Sequence, residues 1–349
     1  MKVAHIVWAL KYGGIETMLV DIVNEQVKYC EVWVYVINEL YDEALLKTIN
    51  SKVKVVLCHR KPASQNLLPL IKLNLSLLRY RPHIIHCHQE TLAQLILIPI
   101  IKVLTIHNTH SSPSQFKHYR RLFCISKAVK TYADNHGFPY GVVIYNGIHT
   151  NNILVKDKYR KKNESNIKLV CVGRLHPDKG QSVLIKALNN VVNIRIIPFI
   201  TCDFIGDGDE RESLETLTSR YGLTSNITFV GAKSRQWIYS HLKDYDLFVM
   251  PSISEGFGLT LAEACAAKVP VLTSDLEGPL EVIDGGKLGM VFFHGDDDEL
   301  AKKISLFIDN GYKSTIVDEA YQFVLANYDV TKTARHYLEE YEKLLNRRR

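Results

Sequence analysis

The chain has 349 residues, which is long for a single hydrophobic core and predicts two domains. Hydrophobic residues make up 46% of it and charged residues 23%, a balance typical of a soluble globular protein. The seven cysteines are scattered and form no C-x-x-C pair. This spacing indicates buried free thiols in a reducing compartment and argues against a disulfide-rich scaffold.

The net charge of +6 is unevenly distributed along the chain. Residues 1–165 contain 22 Lys and Arg against 11 Asp and Glu, a balance of +11, and the remainder has a balance of −5. A basic half favours an anionic partner, such as a lipid pyrophosphate, a membrane surface or a nucleic acid. No nucleic-acid-binding motif is present, so we expect no nucleic acid partner. A randomly uneven surface is the alternative explanation.

No signal peptide or membrane span is apparent. The apolar run from Val3 to Leu10 is short and is followed by a glycine pair. The longest apolar region, Leu92 to Ile106, contains Pro99 and Lys102 and is better interpreted as a helix end plus a strand. We therefore expect a cytoplasmic protein, with peripheral contact on the inner face of the membrane as a further hypothesis.

The first half alternates apolar strands with helices, which predicts a parallel α/β sheet. The predicted strands are Val3–Ala9, Val32–Ile37, Val53–Leu57, Ile84–Cys87 and Val103–Ile106.

A glycine turn follows the first strand. Gly13 and Gly14 precede a helix that runs to about Tyr29. A strand, a glycine turn and a helix are typical of a phosphate cradle. The segment lacks both the P-loop and the dinucleotide fingerprint.

A basic amphipathic helix is predicted at Leu67–Leu78. Its apolar residues recur at helical spacing, and five basic residues lie on or near it: Arg60, Lys61, Lys72, Arg79 and Arg81. Such a helix can lie on an anionic membrane. Packing on the sheet as an ordinary surface helix is equally compatible with the pattern.

Histidines cluster at strand ends, namely His86, His88, His107 and His110. His86 and His88 point to the same face of a strand, so a metal site is conceivable. No carboxylate or cysteine completes a ligand set at a convincing spacing. We expect a structural or acceptor-contacting role and no metal.

The second domain begins with a strand at Lys168–Val172, after a polar, basic stretch that indicates a linker. Arg174 and Lys179 leave the following turn from opposite ends, and two fixed cations can neutralise a diphosphate. Two solvated surface charges are the alternative interpretation of this pair.

Two D-x-D pairs resemble metal-binding motifs, Asp207/Asp209 and Asp296/Asp298. Both lie where helices are predicted to start, and Asp209 occupies a predicted N-cap position. We interpret both pairs as helix starts.

The most informative stretch follows the strand Leu247–Met250. It contains Glu255, Gly256 and Gly258, and a helix with Glu263 leads out of it. The glycines allow close approach of a ligand, and a helix N-terminus favours a phosphate. Two carboxylates beside such an anion site indicate recognition of sugar and ribose hydroxyls.

Glu255 and Glu263 form an E-x7-E pattern in the setting EGFGLTLAEA, and residues 173–180 read G-R-L-x-x-x-K-G. These motifs, with G-G-x-E from Gly13 and V-I-Y-N-G-I-H before the linker, resemble retaining glycosyltransferases of family four, the glycosyl transferases group 1. His149 stands where that family usually has aspartate, so no role is carried to it.

The resemblance implies the α/β fold called GT-B, in which two Rossmann-like domains face each other across a cleft and the C-terminal helix returns to the first domain. The expected division is an acceptor-side domain at 1–150, a linker at 151–166, a nucleotide-sugar domain at 167–328 and a crossover helix at 329–349.

The resemblance also implies residue roles. Arg174 and Lys179 would stabilise the leaving diphosphate, and Glu263 would hold the ribose. Glu255 and the backbone of the following turn would hold the donor sugar, while Gly13 and Gly14 would approach the donor from the first domain and His107 would face the sugar. The predicted catalytic residues are His107 and Glu255, and Glu255 is not assigned as a nucleophile. The predicted donor-binding residues are Gly13, Gly14, Arg174, Lys179, Gly256, Phe257, Gly258, Leu259, Thr260 and Glu263.

The implied activity is retaining, metal-independent transfer of a hexose from a nucleoside-diphosphate sugar to a growing surface polysaccharide, lipopolysaccharide or glycolipid. No cofactor beyond this donor substrate is expected. Two alternatives remain. One is another GT-B enzyme, such as a nucleotide-sugar epimerase or a phosphorylase, and the other is a non-catalytic nucleotide-sugar-binding protein, against which the complete set of motif residues argues.

Overall fold

The computed structural model describes residues 1–11, 13–159, 166–194 and 199–346. The chain divides into two compact units. The first comprises Met1–Gly147 and Asp329–Arg349, and the second comprises Ile148–Tyr328. Each unit contains one parallel sheet with helices in its connections. The prediction of two parallel α/β domains is therefore confirmed.

The first unit begins with a regular alternation of strands and helices. Its elements up to residue 147 are β1 (Lys2–Val7), α1 (Gly14–Gln26), β2 (Glu31–Asn38), α2 (Glu43–Lys47), β3 (Lys54–Arg60), α3 (Leu68–Tyr80), β4 (Ile84–Cys87), β5 (Ile101–Ile106), β6 (Arg121–Cys124), α4 (Lys127–Asn135) and β7 (Val142–Val143). The strand order is β3-β2-β1-β4-β5-β6-β7.

β1 lies between β2 and β4, near the middle of this sheet. Val3, Ala4, Ile6 and Val7 are all completely buried, as expected for a parallel strand that is covered on both faces. His5 is buried with them. The continuous apolar run therefore indicated a central strand correctly. The buried ring of His5 within it needs hydrogen-bond partners.

The second unit has a six-stranded parallel sheet. Its elements are β8 (Ile167–Val172), α5 (Gln181–Asn189), β9 (Ile200–Ile205), α6 (Arg211–Arg220), β10 (Ile227–Gly231), α7 (Arg235–His241), β11 (Leu247–Met250), α8 (Leu259–Ala266), β12 (Val271–Ser274), α9 (Glu277–Val282), β13 (Met290–Phe292), α10 (Asp297–Asn310) and α11 (Ser314–Asn327). The strand order is β10-β9-β8-β11-β12-β13.

The last helix, α12 (Val330–Asn346), belongs to the first unit. Tyr337 and Tyr341 of α12 are completely buried in the same hydrophobic cluster as Val3 and Ile22. The hydroxyl of Thr333 donates to the carbonyl of Tyr145 at 2.9 Å, which joins the start of α12 to the end of the first segment. The prediction that the C-terminal helix returns to the first domain is confirmed.

The two D-x-D pairs differ in how they meet their helices. Asp296 caps α10, because its side chain accepts from the Glu299 amide at 2.8 Å. The predicted capping role of Asp209 is wrong, because α6 begins at Arg211 with Glu210 at the N-cap position. The Glu210 amide donates to the Leu175 carbonyl, and this tertiary contact fixes the turn before the helix can start.

The described start of the predicted linker is part of the second unit and is hydrogen-bonded within it. The Leu154 amide donates to the Tyr239 carbonyl, and the Lys156 amide donates to the Ala267 carbonyl. Of the predicted linker, residues 160–165 lie outside the described residues. Across the part of the chain that is described, no helix is both long and apolar enough to cross a membrane.

Candidate functional site

The loops after β8 and β11 emerge side by side in the second unit. β8 is paired with β9 on one side and with β11 on the other, so the strand order reverses between β8 and β11. Ligands of open parallel sheets bind at the carboxyl ends of the strands, at such a reversal. The two predicted donor motifs, at residues 173–180 and 251–258, are these two loops.

Backbone contacts fix the two loops to each other. The amides of Ile253 and Ser254 donate to the carbonyl of Asp178 at 2.8 and 3.1 Å. Gly180 has φ +63°, and a Cβ there would lie 1.9 Å from the Pro251 carbonyl oxygen. Glycine is therefore required both for the left-handed conformation and for the close approach.

Lys179 and Glu255 meet between these loops. The Lys179 ammonium Nζ lies 2.6 Å from Glu255 Oε2, and the side chains are 28% and 18% exposed. The other carboxylate oxygen, Oε1, accepts from the Gly256 amide at 3.2 Å. The structure thus joins two residues that are predicted for different tasks, the diphosphate and the sugar.

Helix α8 begins directly after this pair. Its N-cap, Gly258, has φ +103°, and no side chain caps the helix. The Thr260 hydroxyl donates to the Val172 carbonyl at 3.3 Å, which ties the first turn of α8 to the end of β8. The first amides of a helix and its positive dipole end favour an anion. Leu259 opens this first turn.

Glu263 and Phe257 are both buried, at 6% and 1% exposure. Phe257 packs edge-on against Tyr328, with ring centroids 5.1 Å apart. Its side chain therefore belongs to the core of the unit, and any ligand contact from Phe257 comes from its backbone. Glu263 lies on α8, one turn beyond Leu259.

Arg174 is the exposed member of the site. Its carbonyl accepts from Gln181 Nε2 at 2.9 Å, which fixes the backbone of the turn. Among the described residues, no hydrogen-bond or ion-pair partner occupies its guanidinium group. Arg174 thus offers a cation for a ligand, whereas the charge of Lys179 is matched by Glu255.

Sequence reasoning missed the contribution of Gly278. A Cβ at this position would lie 2.7 Å from the carbonyl carbon and oxygen of Gly256, so a side chain would displace the turn beside Glu255. It also missed Asp178 and Gln181, which act through a backbone carbonyl and a side-chain amide. For the close approach of Gly278 to Gly256, the only local signal in the sequence was the glycine itself, directly before Pro279.

In the first unit, Gly13 and Gly14 form the start of α1. Gly13 is extended at the N-cap, and its carbonyl accepts from the amide and the hydroxyl of Thr17. A Cβ on Gly13 would lie 2.6 Å from Glu16 Oε2, whereas a Cβ on Gly14 would meet nothing within 4 Å. Burial raises the pKa of the Glu16 carboxyl above its usual range.

His86 is fully committed to internal hydrogen bonds. Its Nδ1 lies 2.6 Å from the Tyr341 hydroxyl, and its Nε2 lies 2.7 Å from the Thr105 hydroxyl. Burial holds the pKa of His86 well below its usual value, so the ring is neutral. This arrangement is that of a structural histidine.

His5 joins His86 and His88 in a buried cluster whose ring nitrogens come within 4.8 Å of one another. Both nitrogens of His5 have partners: Nδ1 is 3.1 Å from His88 Nε2, and Nε2 is 2.8 Å from Gln26 Oε1. A metal would have to displace these bonds. Burial lowers the pKa of His5 to about 4.

His107 follows β5 at its carboxyl end. Its ring stacks on His88 with centroids 5.7 Å apart, and burial lowers its pKa to about 3. Its Nε2 is buried and has no hydrogen-bond partner within the described parts of the chain. His107 therefore holds one unused polar atom at the strand end where the sequence predicts contact with a ligand.

Two family models match the chain. The model described as Glycosyltransferase Family 4 matches residues 12–152, and the one described as Glycosyl transferases group 1 matches residues 155–323. The chain belongs to the group 1 glycosyltransferases of family 4.

Curated relatives of this chain are distant. An uncharacterized glycosyltransferase of Methanocaldococcus jannaschii is 29% identical over 54% of this chain and 50% of its own length. The chain thus spans about half the length of the first curated relatives that it matches. The lipopolysaccharide core biosynthesis glycosyltransferase LpsE of Rhizobium meliloti is 23% identical over 97% of this chain and 98% of its own length.

The fold matches solved structures over nearly its full length. HepE of Anabaena, solved in complex with UDP and glucose, has a TM-score of 0.83 at 22% identity and covers 97% of this chain and 99% of its own. The similarity establishes the GT-B fold that the sequence motifs predict.

Proposed function

We propose that this protein is a glycosyltransferase that moves a hexose from a nucleoside-diphosphate sugar to a growing surface polysaccharide or glycolipid. Family membership supports the reaction class. The similarity to LpsE, a lipopolysaccharide core enzyme, and to the capsular polysaccharide enzyme CapM of Staphylococcus aureus supports an envelope glycan as acceptor. Transfer with retention of the anomeric configuration, and without a divalent metal, is part of the proposal.

The ion pair between Lys179 and Glu255 is the observation that carries the proposal. It brings a cation and a carboxylate together at the strand-order reversal, directly before the N-terminus of α8. Arg174 leaves the same turn as Lys179 and is exposed. One small region thus offers two cations and a helix dipole to a diphosphate, and a carboxylate to sugar hydroxyls.

These groups suit the departure of the nucleoside diphosphate from the donor sugar. As the bond from the sugar to the diphosphate breaks, negative charge grows on the phosphate oxygens. Fixed cations and helix amides stabilise that charge without having to reorganise. Arg174 and Lys179 supply the cations in this scheme, and His107, with its unused Nε2, is the proposed contact for the sugar.

The experiment that tests this function is donor binding. Because HepE was solved in complex with UDP, the first ligands are UDP and UDP-sugars, followed by the other nucleoside diphosphates. A ligand that binds the native state raises the melting temperature. We expect one nucleoside diphosphate to stabilise the protein and its sugar conjugate to be consumed with an acceptor. Absence of stabilisation by every nucleotide would refute the proposal.

A matched pair of arginines makes the test specific to the site. Arg174→Ala removes the exposed cation beside Lys179, and Arg220→Ala removes an exposed arginine at the end of α6. We expect the first change to weaken diphosphate binding by about 1.5–3 kcal/mol, the usual contribution of a charge-assisted hydrogen bond. Equal affinities in the two variants would contradict the assignment.

A second part of the proposal concerns α3, which presents apolar side chains to solvent. Exposed fractions are 51–63% for Leu67, Leu68, Ile71, Leu75 and Leu78. The opposite face of the helix, including Leu73 and Leu77, is buried. Residues 61–83 contain four Lys or Arg and no Asp or Glu. A basic helix with a free apolar face is typical of contact with an anionic membrane.

Sedimentation with vesicles tests this contact. We expect Leu75→Asp to reduce binding to anionic vesicles, because it places a charge in the apolar face. Leu306→Asp is the control, because Leu306 is a 52% exposed leucine on α10 of the second unit. If the wild-type protein binds neutral and anionic vesicles equally, or if both variants lose binding equally, the membrane proposal is wrong.

A further inference from the structure

A cavity of about 840 Å³ opens at the amino ends of β5 and β6 in the first unit. Its volume is within the range of small-molecule sites. Four cationic side chains line it, those of Lys102, Lys117, Arg120 and Arg121, and none of its lining residues is acidic.

The four cations divide into a fixed pair and an open pair. Lys102 Nζ donates to the Ile96 carbonyl at 2.7 Å, and an Arg121 guanidinium nitrogen donates to the Tyr140 carbonyl at 3.0 Å. Arg121 Nε is buried and lies 3.9 Å from Glu340 Oε2, so the charge of Arg121 is already paired. Lys117 and Arg120 are exposed, and within the described ranges no acidic side chain pairs with either.

This cavity lies at the end of β5 opposite to His107. β5 runs from the cavity at Ile101 to Ile106, and His107 follows at the other end. Six residues of strand span about 17 Å. Within the first unit, the cavity is therefore distinct from the strand end at which His107 lies.

The cavity is continuous with the exposed leucines of α3. Leu97, 80% exposed, directly precedes Ile98, which lines the cavity. The Leu97 amide donates to Asn74 Oδ1 of α3 at 2.8 Å, and Asn74 Nδ2 donates to the Leu95 carbonyl at 2.8 Å. One side chain of α3 thus holds an apolar segment that connects the helix face to the basic cavity.

We propose that this cavity binds the phosphate of an anionic phospholipid headgroup while the leucines of α3 and Leu97 enter the bilayer. The proposal rests on the membrane contact proposed above and assigns its headgroup site. Lys117 and Arg120, whose charges are unpaired among the described residues, meet the phosphate at the cavity mouth. The apolar lining at Ile98 and Pro99 faces the acyl region beside Leu97.

The test uses Lys117→Ala/Arg120→Ala with the matched control Lys47→Ala/Lys52→Ala. The control removes two exposed lysines that precede β3 in the sequence. In the sheet, β3 lies four strand positions from β5, which corresponds to about 19 Å. Each Lys or Arg near an anionic surface strengthens binding by roughly a factor of five, so the cavity variant should bind phosphatidylglycerol vesicles about thirtyfold more weakly. We expect the control variant to lose much less.

Hydrogen exchange locates the contact. We expect phosphatidylglycerol vesicles to protect residues 98–102 and 117–121 together with α3, and vesicles charged by a fatty-acid carboxylate to protect α3 alone. Equal losses in the two double variants, or no protection at 117–121, would overturn the proposal. Protection at 117–121 by soluble glycerol phosphate without vesicles would assign the cavity to a free phosphate ligand and would equally overturn it.

The measurement is independent of the transferase reaction, because it needs neither donor nor acceptor. If UDP-sugar binding fails while the cavity variant alone loses vesicle binding, the headgroup site stands and the proposed donor function falls. If donor binding succeeds and the cavity variant binds vesicles like the wild type, the headgroup site falls.

Discussion

The pairing of Lys179 with Glu255 predicts opposite effects from neutralising its two members. Lys179→Ala removes a cation that meets the diphosphate, whereas Glu255→Gln releases that cation from its carboxylate. Gln keeps an oxygen that can accept from the Gly256 amide, as Glu255 Oε1 does at 3.2 Å. The two changes therefore test the charge at this position with little change in shape.

The magnitudes follow from the exposure of the pair. A lost charge-assisted hydrogen bond costs about 1.5–3 kcal/mol, so Lys179→Ala should weaken UDP binding by about 10- to 150-fold. The pair is 28% and 18% exposed, and a partly exposed ion pair contributes about 1 kcal/mol or less. Releasing Lys179 should therefore strengthen UDP binding by about fivefold at most. In the double variant the gain should disappear, because no cation is left to release.

Titration calorimetry with UDP and with the UDP-sugar separates the two roles of Glu255. UDP carries no sugar, so Glu255→Gln should bind UDP as tightly as the wild type or more tightly while it turns over the UDP-sugar more slowly. If Glu255→Gln weakens UDP binding as much as Lys179→Ala does, the Glu255 carboxylate does not compete with the diphosphate for Lys179. Melting temperatures of both variants verify that the fold is intact.

Three further predictions concern pH, metal and a glycine. The pKa of His5 falls from 6.5 in the unfolded chain to about 4 in the fold, so at a pH between these values the unfolded chain binds one more proton. The free energy of unfolding should therefore decrease by about 3 kcal/mol from this residue as the pH drops from 6.5 to 4. Urea unfolding of the wild type and of His5→Gln measures this decrease, and identical pH slopes would contradict it. Transfer should persist in EDTA and yield a product with the donor's anomeric configuration by NMR, whereas activity lost in EDTA and restored by manganese would disprove the metal-free site. Gly180→Ala should abolish UDP binding and lower the melting temperature, because its Cβ would meet the Pro251 carbonyl. The control is Gly222→Ala, where φ is +67° and an added Cβ has no atom within 4 Å, so the change should cost only about 1–2 kcal/mol of backbone strain. Equal losses of stability would show that the contact with Pro251 is unimportant.

The apolar strands were predictable because burial on both faces leaves a continuous signal. The predicted bounds of Ile84–Cys87 and Leu247–Met250 agree with the structure. β13 escapes such reasoning because Met290–Phe292 is three residues long and is a strand only through its pairing with β12. Short strands depend on neighbours that are remote in sequence, and no local pattern encodes those neighbours.

The candidate site was predictable as separate motifs and not as an arrangement. Lys179 and Glu255 are 76 residues apart, and only the pairing of β8 with β11 brings them together. Their ion pair is a consequence of sheet order. The error at Asp209 has the same origin, because a contact with Leu175 decides where α6 begins.

The return of α12 to the first unit has a consequence for the order in which the chain folds during synthesis. Residues 148–328 are contiguous and contain the whole second sheet, so this unit can fold as soon as it leaves the ribosome. The first unit is translated earlier but lacks Tyr337 and Tyr341 in its core until the last helix emerges. His86 meanwhile lacks the Tyr341 hydroxyl that occupies one of its ring nitrogens. The first unit is thus begun before the second but completed after it, and a ribosome that stops before residue 330 leaves its apolar core open to chaperones and proteases.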